Sequence, residues 1–185
     1  LSFSGKMIPD GDDLNEIPAH DLMNPIELSK SGKVGSYTYL IPEKTRFSTV
    51  LSNRGCRGQC TFCSVNNFNG LSVRRRSVQS VIDELLMLSN DFGVEHIMWL
   101  DDDFFYNQHE SMLLLNEIVR KNINITWDCT NGVIATSISN EMAACAAESG
   151  CIGLNIGLES GNKDILKLVK KPVSVEKFLK AAEVL

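Results

Sequence analysis

The 185-residue chain carries 18 Lys and Arg against 23 Asp and Glu, a net charge of -5, with 43% hydrophobic and 22% charged residues. That balance is ordinary for a globular domain with a real core and no need of disulfide staples. It argues against nucleic acid as a partner, leaving at most a local basic patch, and Arg74-Arg75-Arg76 is too short for a polybasic tail. No apolar run approaches the roughly 20 residues of a membrane span, and no basic stretch followed by an apolar core opens the chain, so a cytoplasmic location is expected. The chain starts without Met and ends inside a helical pattern, so it is expected to be part of a longer protein.

Residues 1–45 hold four of the five prolines (Pro9, Pro18, Pro25, Pro42) and the turn-rich runs Asp10-Gly11-Asp12-Asp13 and Lys30-Ser31-Gly32-Lys33. This reads as a linker or wrapping segment, with one helical turn over Asp21–Pro25; a leader without fixed structure over residues 1–15 is the alternative. From Arg46 the pattern alternates. Phe47 to Ser52 is β-prone. Ser77 caps a helix whose Val78, Val81, Ile82, Leu85 and Leu88 recur at helical spacing, closed by Gly93. Glu95 to Leu100 is a second strand, running into Asp101-Asp102-Asp103. A helix over about 109–121, a strand over Asn124 to Cys129 ending near Asn131-Gly132, and an alanine-rich helix capped by Ser139 follow. Cys151 to Leu158 is a fourth strand. Asn162 opens a short helix broken by Pro172, and Ser174 caps the last helix, with Val175, Phe178, Leu179 and Ala182 on one face.

The order βαβαβαβα predicts a parallel sheet with right-handed crossovers. A closed eight-stranded barrel needs about 31 residues per βα unit. Residues 46–185 hold about four such units, so the expected fold is α/β: a partial TIM-type (β/α) barrel or a small open sheet. Polar residues close each strand: Asn53-Arg54-Gly55-Cys56, Asp101 to Asp103, Asp128 to Asn131 and Glu159-Ser160. In parallel folds that rim is where sites are built.

One of these loops reads Cys56-Arg57-Gly58-Gln59-Cys60-Thr61-Phe62-Cys63, a C-x3-C-x2-C spacing. Three close thiolates select zinc or an iron–sulfur centre. Cys129 reads as a buried small hydrophobe, Cys145 lies in a helix, and Cys151 begins the fourth strand, at the opposite end of the sheet. His20, His96 and His109 are remote in sequence. Three ligands without a fourth leave an open position, the arrangement of a reactive metal site. The alternatives are a non-catalytic iron–sulfur electron carrier or zinc-binding module, which needs a fourth ligand, and a hydrolase with a metal on Asp101 to Asp103.

The C-x3-C-x-Phe-C loop directly after a first strand resembles the cluster loop of the radical S-adenosylmethionine (radical SAM) superfamily. Residues 70–77 into a helix, Ile97 to Phe104, and Gly157-Leu158-Glu159-Ser160-Gly161 with Ile165, Leu166, Lys170 and Lys171 are similar to its later elements, together covering about 46–185 as the N-terminal part of that domain. Residues 14–21 resemble the linker of the cobalamin-dependent branch, which implies cobalamin on a domain upstream of residues 1–45. The resemblance implies that Cys56, Cys60 and Cys63 hold a [4Fe-4S] cluster. S-adenosylmethionine would bind its fourth iron and be cleaved to a 5′-deoxyadenosyl radical that attacks an unknown substrate. Phe62 would pack beside the cofactor and Glu159 and Ser160 would bond its ribose. Lys171 would approach its carboxylate. Asp101 and Asp102 stand where the family often has Gly-Gly-Glu, which binds the methionine amino group. An electron donor such as flavodoxin or ferredoxin is implied. The family's partial barrel has six βα units. This chain holds four, so by itself it is expected not to turn over substrate, and its fourth strand is expected to be a sheet edge open to self-association.

Overall fold

The four strands predicted for the sheet pair in parallel, in their order along the chain. A computed structural model describes residues 8–31, 38–41 and 43–185. Along the chain it holds α1 (Pro25–Ser31), β1 (Phe47–Val50), β2 (Asn53–Arg54), α2 (Val65–Asn69), β3 (Arg74–Arg75), α3 (Val78–Asn90) and β4 (His96–Trp99). Then come α4 (Gln108–Arg120), β5 (Thr126–Val133), α5 (Asn140–Glu148), β6 (Cys151–Ile156), α6 (Lys163–Leu168) and α7 (Val175–Val184). The main sheet runs β1-β4-β5-β6, every pair parallel. A doubly wound sheet reverses its order at a switch point. This one does not, which is the topology of a barrel wall. Among the described residues no helix is long and apolar enough to cross a membrane.

Side-chain alternation along each strand gives the sheet two faces. Val50, Ile97, Trp99, Trp127 and Cys129 point to the helices and share one core with Leu85, Leu88, Leu114, Leu115, Ile118 and Met142. On the other face Thr49, Met98, Asp128 and Gly153 stand in register. There His96 Nε2 meets Asp128 Oδ2 at 2.7 Å, both side chains fully buried, and His96 Nδ1 meets Thr126 Oγ1 at 2.8 Å. Leu40 lies over this face, since a Cβ on Gly153 would stand 2.2 Å from its Cδ1. Tyr39 donates to Asn155 Oδ1 at 3.0 Å.

The helix caps fall where the sequence placed them. Ser77, Ser139 and Ser174 accept from the amides of Ser80, Met142 and Lys177, and Asn162 from those of Asp164 and Ile165. Several boundaries differ. The turn expected over Asp21–Pro25 is instead a helix starting at Pro25, because proline suits the first helical position and Asn24 Oδ1 accepts from the Ile26 amide at 2.9 Å. Asn131-Gly132 does not end its strand. β5 runs on to Val133 through register shifts against β6, with Gly132 at φ 107°. β6 stops at Ile156 and is only partly buried. The β2–β3 hairpin and α2 carry no apolar period and were not readable. Gly32, Lys33 and Pro42 of the expected turn-rich segment, and the first seven residues of the expected leader, lie outside the described residues.

The described part of residues 8–31 is strapped to α3. Asn15 Oδ1 accepts from the Ser77 amide at 2.7 Å and its carbonyl from Ser80 Oγ at 2.7 Å. His20 Nε2 meets Glu84 Oε1 at 2.9 Å, and the other oxygen of Glu84 pairs with the buried Arg76. A buried Glu needs such partners, because an uncompensated carboxylate there is costly.

Candidate functional site

The cysteine loop leaves β2 at the C-terminal end of the sheet. Gly55 makes the turn into it at φ 98°, where a Cβ would lie 2.3 Å from the carbonyl oxygen of Ser72. Only glycine fits that position without displacing backbone. Cys56 and Cys60 are half-buried and Cys63 is exposed. Gly58 sits between the first two. A Cβ there would be 3.3 Å from Cys56 Sγ and 3.7 Å from Cys60 Sγ, so both sulfurs face the space that its missing side chain leaves. The Gly58 amide donates to Cys56 Sγ at 3.3 Å. Among the described residues no three His, Cys, Asp or Glu side chains are already gathered as a metal-binding set. The donor chemistry of this loop is nonetheless purely thiol, and no fourth cysteine is with it. Cys129 is wholly buried among core residues, Cys145 is in α5, and Cys151 opens β6 at the far end of the sheet.

Burial pushes the Cys56 thiol up to about 11, against the Gly58 amide and with help from Asp103 and Asp102. It raises Cys60 too, while Lys171 pulls the other way. Burial pushes Cys151 up to about 12 and also pushes Cys129 well above the ordinary thiol value. These two are thiols of the core, and a buried thiol is inert.

The three aspartates at the tip of β4 meet this loop directly. Asp101 is fully buried, and accepts from Ser52 N at 3.0 Å, Ser52 Oγ at 2.6 Å and Asn53 N at 2.7 Å. Burial nevertheless pushes it up to about 6. Asp102 Oδ2 accepts from Gly55 N at 3.0 Å and Asn69 Nδ2 at 2.6 Å. Asp103 forms an ion pair with Arg57 at 2.9 Å, and the same guanidinium donates to Ser137 Oγ. On the opposite side Thr61 N donates to the Val169 carbonyl at 3.0 Å. A Cβ on Gly58 would stand 3.7 Å from Pro172.

The other residues singled out from the sequence lie on the same rim. Glu159 sits at φ 73° after β6, a strained position for a non-glycine residue. Its Oε1 accepts from Lys171 Nζ at 2.7 Å. Gly157 makes room for the pair, since a Cβ there would be 3.1 Å from each of those two atoms. The segment that carries Lys171 borders the cysteine loop through the Val169 carbonyl on Thr61 and Pro172 beside Gly58. Ser160 Oγ accepts from the Asn162 amide at 3.1 Å. Phe62 projects from the loop, 58% exposed. Sequence reasoning missed Arg57, Asn66 and Asn69. Asn66 Nδ2 donates to the Gly58 carbonyl at 2.8 Å. Arg57 lies inside the motif itself, but its partners are 46 and 80 residues away, and no local signal reports them.

A family model described as the radical SAM superfamily matches residues 50–185. The chain belongs to the radical SAM superfamily. It is 29% identical over 175 residues to the cytidylyl-2-hydroxyethylphosphonate methyltransferase of Streptomyces wedmorensis, covering 94% of this chain and 32% of that protein. It is 31% identical over 139 residues to the bacteriochlorophyllide d C-12(1)-methyltransferase of Chlorobaculum tepidum, covering 73% of this chain and 28% of that one. Among solved structures, the radical SAM methyltransferase TsrM from Kitasatospora setae, with cobalamin and a [4Fe-4S] cluster bound, aligns with a TM-score of 0.67 at 21% identity. That match covers 76% of this chain and 28% of TsrM. The cobalamin-dependent enzyme OxsB aligns with a TM-score of 0.65 at 23% identity, over 74% of this chain and 22% of OxsB. These two likenesses establish the fold. This radical SAM chain spans about a third or less of the length of these relatives.

Proposed function

We propose that this chain is the N-terminal part of a radical SAM catalytic domain, in a methyltransferase-type enzyme that uses a [4Fe-4S] cluster, S-adenosylmethionine and cobalamin. The observation that carries the reading is the thiol-only C-x3-C-x2-C loop at the C-terminal rim of β1, inside a stretch that matches the family. Such a cluster, when reduced, supplies the electron that breaks the S–C5′ bond of S-adenosylmethionine. The chain's own residues do the holding. Cys56, Cys60 and Cys63 are the metal ligands, and Gly58 keeps clear the space between the first two. Phe62 offers an exposed ring beside them. The Glu159–Lys171 pair and Ser160 supply polar groups for the cofactor's ribose and carboxylate. The described residues 8–31, anchored on α3 by Asn15 and His20, strap the domain as part of a linker that follows an upstream cobalamin domain. A low-potential donor of the flavodoxin or ferredoxin kind and a cytoplasmic setting belong to the same reading. The β6 edge, where Ile152 is 41% exposed, is where further strands or a second copy would pair.

The test is anaerobic reconstitution with iron and sulfide. About four irons per chain are expected, and none in a Cys56→Ala, Cys60→Ala, Cys63→Ala variant. Incubation of the reduced protein with S-adenosylmethionine then reports cleavage. Stoichiometric zinc in protein expressed with ample iron would refute the reading.

A further inference from the structure

We propose that Asp102 is a positioning residue, a staple that closes the cysteine loop by holding both of its ends on one carboxylate oxygen. The proposal rests on the reading that Cys56, Cys60 and Cys63 are the metal ligands, and it gives this aspartate a different task from binding the cofactor's amino group. The loop begins at Gly55, next to Cys56, and its C-terminal flank, α2, ends at Asn69. Asp102 Oδ2 accepts from the Gly55 amide at 3.0 Å and from Asn69 Nδ2 at 2.6 Å. One atom from the tip of β4 thus bridges residues that are 14 positions apart and flank all three cysteines.

The neighbours of Asp102 show why this oxygen is in place. Asp101 is locked by the amides of Ser52 and Asn53 and by Ser52 Oγ, and Asp103 by Arg57. The three consecutive carboxylates therefore grip consecutive points of one path: Ser52 and Asn53, then Gly55, then Arg57. The far end of the staple is backed as well, because Arg74 donates to the Asn69 carbonyl. A loop with little apolar content of its own opens easily unless it is tied down. Three ligands must also be presented together before a metal arrives, since ordering them afterwards costs affinity.

The staple needs an acceptor and no formal charge, and this separates it from recognition of an ammonium group. Asp102→Asn keeps an amide oxygen for both donors. Asp102→Ala removes it. In metal-free protein, amide exchange at Gly55, read by NMR, should be on the order of tenfold faster in Asp102→Ala and within about threefold of wild type in Asp102→Asn. Alkylation of Cys56 should follow the same order, while the core thiol of Cys129 stays protected in all three proteins. That last signal excludes general unfolding. After reconstitution, iron content and the cluster's reduced-state electron paramagnetic resonance spectrum should be near wild type in Asp102→Asn and altered in Asp102→Ala. Unchanged Gly55 exchange in Asp102→Ala would overturn the proposal. So would an Asp102→Asn variant as impaired as Asp102→Ala. Failure of the wild type to take up iron would instead defeat the assignment of the cluster, with the exchange and alkylation results still standing.

Discussion

Gly55→Ala gives the sharpest test of how the loop is built. The new Cβ would lie 2.3 Å from the Ser72 carbonyl oxygen, 3.2 Å from its carbon and 3.4 Å from Val73 Cα. All three are backbone atoms, so no side-chain rotation relieves the clash, and the strand must move by about 1 Å to reach ordinary contact. Holding an alanine at φ 98° costs a further 1–2 kcal/mol or about that. Displacing the Gly55 amide from Asp102 forfeits about 1.5–3 kcal/mol more. The backbone strain and the lost hydrogen bond together come to about 2.5–5 kcal/mol, with the clash adding to this wherever the loop resists moving. That is more than a hairpin of two-residue strands can resist, so the loop reorganises while the main core stays intact. Urea unfolding followed by Trp99 and Trp127, both wholly buried, should therefore shift by no more than about 1 kcal/mol. Iron uptake, in contrast, should fall severalfold. Gly161→Ala is the control: nothing lies within 4 Å of its Cβ, and both readouts should be unchanged. A Gly55→Ala protein with full iron and a wild-type spectrum would refute the reasoning.

Asp101 should leave a signature in stability against pH. Burial raises it from 3.8 to about 6, so folding favours the protonated acid. Its contribution is present in full below about pH 4 and is lost as pH rises through about 6, a change of about 3 kcal/mol. The stability difference between wild type and Asp101→Asn, measured by urea unfolding, should fall by about 2 kcal/mol from pH 4 to 7, whatever its baseline. A flat difference would show that the donors around Asp101 outweigh its burial. Metal loading should accelerate from pH 7 to 8.5, because a metal must displace the proton of a Cys56 thiol raised to about 11. Cobalt–thiolate absorbance in the metal-free protein would follow this, and a rate independent of pH would count against Cys56 as a ligand. Replacing Cys129, Cys145 or Cys151 by Ala should leave the iron content unchanged. Loss of iron in Cys129→Ala would reveal a four-thiolate site and an electron carrier.

Helices α3 to α7, the caps at Ser77, Ser139, Asn162 and Ser174, the four sheet strands and the presence of three cysteines in one loop were legible in the sequence. Each is a local property: an apolar period of 3.6 or 2, a side-chain oxygen two or three residues before the amide it caps, or three thiols within one loop. The count of βα units was enough to exclude a closed barrel. The monotonic β1-β4-β5-β6 order that makes the sheet a barrel wall came from the tertiary structure, because strand order depends on crossovers. So did the role of the aspartate triplet. From the sequence, Asp101 and Asp102 read as open carboxylates at a strand tip. Folded, parallel pairing of β1 with β4 brings them against residues about 50 positions earlier, where loop amides take their oxygens. The same holds for His20 on Glu84, 64 residues apart, and for Lys171 reaching back across a helix to Glu159. Such pairs have no period and no fixed spacing, since their partners are chosen by strand register and helix packing.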